Sequence, residues 1–152
     1  MSGSDAGQSA ARPVRPALLV NIDVPDLARA EAFYCAALDL RPGRRLGGGA
    51  VELLGADAPV YLLLQPPGGV AAADHRRDYG RHWTPVHLDF VVADLEAAVA
   101  RAEAAGAVRE GAIRPAAWGR IAQLADPFGH GLCLIAFSDR GYDAIALEDP
   151  AR

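Results

Sequence analysis

A chain of 152 residues is long enough to bury one core and too short for several independent domains. With 51% hydrophobic and 22% charged residues it fits neither a disordered nor a membrane protein, and no apolar run approaches the roughly 20 residues that span a bilayer. The net charge of −4, with the arginines scattered, argues against a nucleic-acid binder, which needs a basic surplus to displace phosphate counterions. Residues 1–16 read as a disordered lead-in, because Met1 to Ser9 carry neither the basic n-region nor the apolar h-region of a signal peptide. Two cysteines, Cys35 and Cys133, make no disulfide framework, so a reduced, cytoplasmic protein is expected.

After an arm punctuated by Pro13 and Pro16, residues 17–24 predict a strand. Asp26 then caps a helix to about Leu38, with Ala30, Phe33, Tyr34, Ala37 and Leu38 as its apolar stripe. Pro42-Gly43 and Gly47-Gly48-Gly49 punctuate short strands near 44–46 and 50–54, and Val60 to Gln65 supplies another. Residues 17–65 therefore spell βαβββ. Residues 66–85, rich in Gly, Asp, His and Arg, form a linker long enough to be a mobile lid or a wrap over the surface. His75, His82, Arg76, Arg77 and Arg81 read there as a solvated loop, or as a lid over an anionic ligand.

The pattern then restarts over 86–137. A strand at 86–92 leads to Asp94 as cap, and a helix carries Leu95, Ala98, Val99, Ala102 and Ala105 to a stop at Gly106. Residues 107–113 predict a short strand and 118–125 a longer one. Asp126-Pro127-Phe128-Gly129 has the residue choice of a type I turn into the last strand, 132–137. In this reading His130 serves the turn. The tail, 138–152, carries an apolar cluster of Tyr142, Ile145 and Leu147 that can pack back on the surface.

The two openings are copies: Asp26-Leu27 falls on Asp94-Leu95, 68 positions later, so Leu19 pairs with His87 and Asn21 with Asp89. Duplication of a supersecondary unit explains this, and the period is too long for a solenoid array. Alternation along the strands adds a chemical argument. Val20, Ile22 and Val24, like Leu88, Phe90 and Val92, share the face that meets the helices. Asn21, Asp23, His87 and Asp89 then converge on the opposite face, as in a small-molecule site.

The doubled βαβββ unit, Val-Pro-Asp-Leu before Ala-Glu-Ala-Phe-Tyr (24–34), and Asp-Pro-Phe-Gly-His (126–130) resemble the vicinal oxygen chelate superfamily, in its glyoxalase-like subgroup. That family includes glyoxalases, extradiol dioxygenases, epimerases and antibiotic-resistance proteins. The resemblance implies an α+β fold of two tandem βαβββ modules that form an open, cup-shaped curved sheet with helices on its convex face. It also implies a divalent metal on His, Glu or Gln from the first and last strands of the modules. Those positions read Leu19, Gln65, His87 and Cys133 here. Leu19 cannot bind a metal, and a thiol with one imidazole and one amide is a soft set for Fe, Mn or Ni, so no cofactor and no tightly held metal are expected. A shifted set of His87, Asp89 or Asp23 and Glu52 is disfavoured, because side chains at i and i+2 of a strand diverge.

The expected catalytic residues are therefore His87 as general base or acid, with Asp89 or Asp23 assisting it. Asn21, Tyr61, Gln65, Trp118 and Cys133 are the expected ligand-binding residues, with Cys133 at the floor; as a buried thiol it reads equally as a small core residue. The function this implies is metal-independent acid–base chemistry on a small organic ligand: isomerisation, epimerisation, cyclisation or lyase. The alternatives are sequestration of an antibiotic or metabolite, and a metal-dependent lyase or dioxygenase with an atypical ligand set. The expected partners are a small-molecule substrate or antibiotic and a second copy of the chain, with no nucleic acid and no membrane.

Overall fold

The fold is seen in a computed structural model that describes residues 16–147. Residues 1–15 of the lead-in expected over 1–16, and the end of the tail, 148–152, lie outside the described residues. Module one contains β1 (Val20–Val24), α1 (Leu27–Leu38), β2 (Arg41–Leu46), β3 (Ala50–Leu54) and β4 (Val60–Leu64). Asp26 starts the helix as predicted: its backbone is extended and its carboxylate accepts from the Arg29 N–H at 2.9 Å. The sheet order is β1-β4-β3-β2, with β1 parallel to β4 and the other pairs antiparallel. Strand β2 begins at Arg41, earlier than predicted. Pro42 and Gly43 are tolerated because β2 is an edge strand with a register shift between Pro42 and Arg45.

The linker makes a small hairpin of its own, β5 (Val70–Ala72) with β6 (His75–Arg76), before crossing to module two. Module two contains β7 (Leu88–Val91), α2 (Leu95–Ala105), β8 (Val108–Arg109), β9 (Arg114–Ala116), β10 (Gly119–Ala125) and β11 (Gly131–Phe137). Asp94 caps α2 by accepting from the Ala97 N–H at 2.9 Å, and Gly106 ends it. The strand predicted over 107–113 is broken. Gly111 takes φ +93°, which throws the chain out of the sheet, and β8 and β9 pair separately with β10. The turn at 126–129 forms as predicted, with Gly129 at φ +88° and its N–H donating to the Asp126 carbonyl at 3.2 Å.

The faces divide as alternation predicts. Ile22, Val24, Val51, Leu53, Val60 and Leu62 meet the buried stripe of α1, and Ala122, Leu124, Leu132 and Leu134 meet that of α2, in one core spanning both modules. Leu88, Phe90 and Val92 are half-buried against it. Helices α1 and α2 touch, and the Tyr34 hydroxyl donates to buried Asp126 at 2.7 Å across the boundary. The expected cup is made of two sheets side by side, because β1 and β7 pair only with β4 and β11. In the tail, a 3₁₀ turn at Gly141–Ala144 lays Tyr142 on Phe137 and Trp118, with ring centroids 4.7 and 5.6 Å apart. Ile145 and Leu147 stay exposed, so only Tyr142 of the predicted apolar cluster packs back. Among the described residues no helix is long and apolar enough to cross a membrane.

Candidate functional site

Because the sheets do not join, a cleft opens along the seam between β1 and β7. One cavity of about 300 Å³ is lined by Asn21, Asp23, His82, Thr84, His87 and His130, and deeper by Ile22, Tyr34, Leu88, Phe90 and Leu132. A second, of about 370 Å³, is lined largely by apolar residues, among them Leu18, Val20, Val60, Phe90 and Val91, with Asp57 and Asp89 as its charged groups. His87 thus opens into one cavity and Asp89 into the other.

The side chains of His87 and Asp89 do not diverge as the strand geometry suggested. His87 precedes the first residue of β7, where the ladder with β11 has not begun, and its Nε2 stands 3.3 Å from Asp89 Oδ1. Each is about one-third exposed, at 34% and 35%. The parallel register of β7 with β11 sets Cys133 opposite Asp89 on the same face. Cys133 is buried, and its sulfur lies within 4.8 Å of an Asp89 carboxylate oxygen. Burial, followed by the charge of the nearby Asp89 carboxylate, pushes the thiol up to about 11, so it stays protonated; Arg114 nearby opposes the shift. The ligating atoms of His87, Asp89 and Cys133 all lie within 4.8 Å of one another. The Trp83 ring leans over His87, centroids 4.7 Å apart, and over Gly131, where an added Cβ would stand 2.5 Å from a ring carbon.

Asp23 lies at the same cleft with a different engagement. Arg77 of the linker donates to its carboxylate from Nε at 2.6 Å and to the Val70 carbonyl from an amino group at 2.6 Å. Asn21 is exposed beside the cavity. Its strand partner Tyr61 shares that face of the sheet but lines neither cavity, and its hydroxyl donates to Glu52 at 2.8 Å. Glu52, itself buried, also accepts two bonds from the Arg44 guanidinium and one from the Arg44 backbone N–H; these, with the Tyr61 bond, pull its carboxyl down to about 2. Gln65 is half-buried just past β4 and lines neither cavity; its carbonyl accepts from the Tyr79 hydroxyl at 3.0 Å. Trp118 also lines neither cavity, being packed against Phe137 and Tyr142 at the far end of β11.

The linker is strapped across the boundary. Tyr79 reaches back to module one and Arg81 pairs with Glu110 of module two. His82 and His130 meet edge to face, with His130 Nδ1 3.3 Å from His82 Nε2. His82 Nδ1 reaches the Gly80 carbonyl at 2.8 Å, and His130 Nε2 reaches the Asp23 carbonyl at 2.8 Å. His130 does serve the turn, through its backbone N–H on Asp126 Oδ1 at 2.9 Å, but its ring bridges to module one. Sequence reasoning left His82 as a loop or lid residue, and missed Thr84 and this role of His130. Contacts across 107 positions leave no mark in periodicity or spacing.

Two helix-backed βαβββ sheets with a polar cleft at their seam define a vicinal oxygen chelate protein. Residues 19–135 match the family described as glyoxalase-like domain, and the chain belongs to that family. An uncharacterized protein of Mycobacterium tuberculosis is 31% identical over 129 residues, 82% of this chain and 76% of that protein. The fold is similar to that of FosX, a fosfomycin resistance protein from Listeria monocytogenes, with TM-score 0.62, 17% identity and coverage of 84% of this chain and 97% of that one. It is also similar to TnmS3, an antibiotic binding protein from Streptomyces sp. CB03234, with TM-score 0.59, 23% identity and coverage of 84% and 99%. A lactoylglutathione lyase from Agrobacterium tumefaciens aligns with TM-score 0.57 and 20% identity over 82% of this chain and 96% of that one.

The four positions that the resemblance assigns to a metal do not fit the family's donor set. Leu19 has no donor atom and Gln65 lies outside both cavities, which leaves one imidazole and one protonated thiol.

Proposed function

We propose that this protein binds a small organic ligand in the seam cleft and acts on it by metal-independent proton transfer at His87. The observation that carries this reading is the His87–Asp89 contact at the mouth of two cavities. Asp89 beside Nε2 favours the tautomer protonated there, which leaves Nδ1 as the base; Cys133, opposite Asp89 in the ladder, backs the carboxylate from the facing strand. The base would remove a proton from carbon next to a carbonyl and return it, or pass it to a leaving group. Isomerisation, epimerisation, cyclisation and elimination all share that step. Asn21 and Thr84 orient the ligand from the cavity wall, while Asp23 serves by holding Arg77 and the strap.

The test is exchange of carbon-bound hydrogen in D₂O, followed by NMR over a set of 2-oxo and 2-hydroxy acids with chelator present. The expected result is exchange by the wild type and none by His87→Ala, whose ligand affinity stays within about tenfold, or 1.4 kcal/mol. Tight binding of a ligand with no exchange or turnover would overturn the enzymatic reading in favour of sequestration, in keeping with the similar Streptomyces antibiotic binding protein. We also propose a homodimer, because Leu18, Leu19, Val86 and Val91 are exposed apolar residues at the β1 and β7 edges. Light scattering giving the mass of one chain at all concentrations would reject it.

A further inference from the structure

We propose that Trp83 is a positioning residue for His87: the strap lays its indole over the imidazole and keeps that ring turned to Asp89 and into the cleft. The catalytic consequence rests on the function proposed above; the packing is tested without it.

The backbone alone does not fix His87. The ladder to β11 begins at Leu88, so His87 lies just outside the pairing that holds its strand. Its contact with Asp89, at 3.3 Å, is longer than a usual N–H to O bond, and its side chain is about one-third exposed, at 34%. An imidazole so placed has several staggered rotamers open to it, and only some of them present Nδ1 to the cleft. Trp83 supplies the missing constraint. Its ring centroid stands 4.7 Å from that of His87, with the planes 37° apart, a separation at which aromatic rings attract.

Trp83 is itself held from two sides. It stands outside the core, 45% exposed, so burial of apolar surface does not account for its placement. Below it lies Gly131 of β11, where an added Cβ would stand 2.5 Å from a ring carbon, so the indole rests on bare backbone. Beside it is Arg81, whose guanidinium carbon is 5.9 Å from the ring centroid. Glu110 grips that guanidinium at Nε and, at 2.6 Å, at Nη2. The layers Glu110, Arg81, Trp83, His87 and Asp89 thus run from just past β8 through the strap to β7.

The stack also bears on the reaction. When His87 takes a proton it becomes a cation, and the electron-rich face of an indole attracts a cation more than a neutral ring. Arg81 does not oppose this, because Glu110 offsets its charge. The attraction is gained as the proton moves and not when the ligand binds, so it acts on kcat and leaves KM nearly unchanged.

The experiment uses the full chain, with the histidine ring protons observed by NMR. In the wild type, NOEs between the His87 and Trp83 rings and an upfield shift of the His87 ring protons are expected. Trp83→Leu should return those protons toward the positions of a free imidazole and Trp83→Phe should keep part of the shift, while Trp118→Phe, at the far end of β11, changes neither the NOEs nor the shift. In the D₂O exchange assay, Trp83→Leu is expected to lower kcat at least about tenfold with KM within about threefold, and Trp83→Phe to keep kcat within about threefold of the wild type. Circular dichroism verifies the fold of each variant. Absence of the NOEs in the wild type, or His87 signals unmoved by Trp83→Leu, would overturn the proposal whatever the kinetics. A rise in KM at unchanged kcat would overturn it too, by making Trp83 a ligand contact. A wild type without exchange overturns the acid–base reading, and the NMR result alone then decides whether Trp83 orients His87.

Discussion

Replacing Tyr34 by Phe deletes one hydroxyl at the boundary between the modules and leaves the ring in place. Tyr34 is 1% and Asp126 4% exposed, and the hydroxyl donates to Asp126 Oδ2 at 2.7 Å. Burial, together with the Asp126 charge and this bond, holds the phenol well above its usual range, so it is a donor at every pH of interest. The other carboxylate oxygen keeps its bonds from the Phe128 and His130 N–H groups, at 2.8 and 2.9 Å, so the turn survives and Oδ2 alone is left without its donor. A hydrogen bond to a charged group contributes about 1.5–3 kcal/mol, and the stranded oxygen adds its desolvation penalty. The expected loss is therefore about 2–3 kcal/mol, which lowers Tm by roughly 5–10 °C for a chain of this size. Urea unfolding should show a lower midpoint at unchanged slope. In a double-mutant cycle with Asp126→Asn, the coupling should reach about 1 kcal/mol or more. A loss under about 0.5 kcal/mol, or strict additivity, would refute the view that this bond locks the modules together.

The Arg44 hydrogen bonds, with that of Tyr61, lower the Glu52 carboxyl from 4.5 to about 2. Its stabilising contribution is complete above 4.5 and lost as pH falls through about 2; Glu52→Gln should flatten the acid limb of the stability curve in that window. Burial raises both thiols, but Cys133 is buried and Cys35 only half so, and a thiol reagent at neutral pH should label Cys35 first; equal rates would contradict the packing of β11. Arg77→Met removes the strap's ion pair with Asp23 and should speed proteolysis of residues 66–85 while costing less than about 1 kcal/mol in global stability. Gly131→Ala would put a Cβ 2.5 Å from the Trp83 ring, so tryptophan fluorescence should change and stability fall by about 1–3 kcal/mol; an unchanged spectrum would contradict the placement of Trp83.

The fold was legible because its signals are local. Asp26 and Asp94 cap their helices, Gly106 ends one, and the alternation of β1 and β7 sorts apolar from polar side chains. Where tertiary pairing decides, the reading slipped. Whether residues 107–113 make one strand or two depends on what β10 offers as partner, and Pro42 in β2 is acceptable only because that strand is an edge. At the candidate site, parity puts Asn21, Asp23, His87 and Asp89 on one face, and the resemblance singles out His87 among them. The contact of His87 with Asp89 follows from where the ladder to β11 begins, which a single strand's sequence does not encode. Nor does composition reveal that Arg77 takes Asp23, or that Trp118 turns to the tail's Tyr142.

The bridge from Gly80 through His82 and His130 to Asp23 counts protons. Backbone carbonyls only accept, so His82 Nδ1 and His130 Nε2, each 2.8 Å from one, must both carry hydrogen. The inner nitrogens, 3.3 Å apart, need one hydrogen between them. That makes three on two rings, one more than two neutral imidazoles hold. The two rings therefore answer to one another: the nitrogen that carries hydrogen on one ring decides which nitrogen the other can offer as acceptor. The hold of residues 80–82 on the first module is thus tied to where hydrogen sits on a pair of rings, one from the strap and one from the turn.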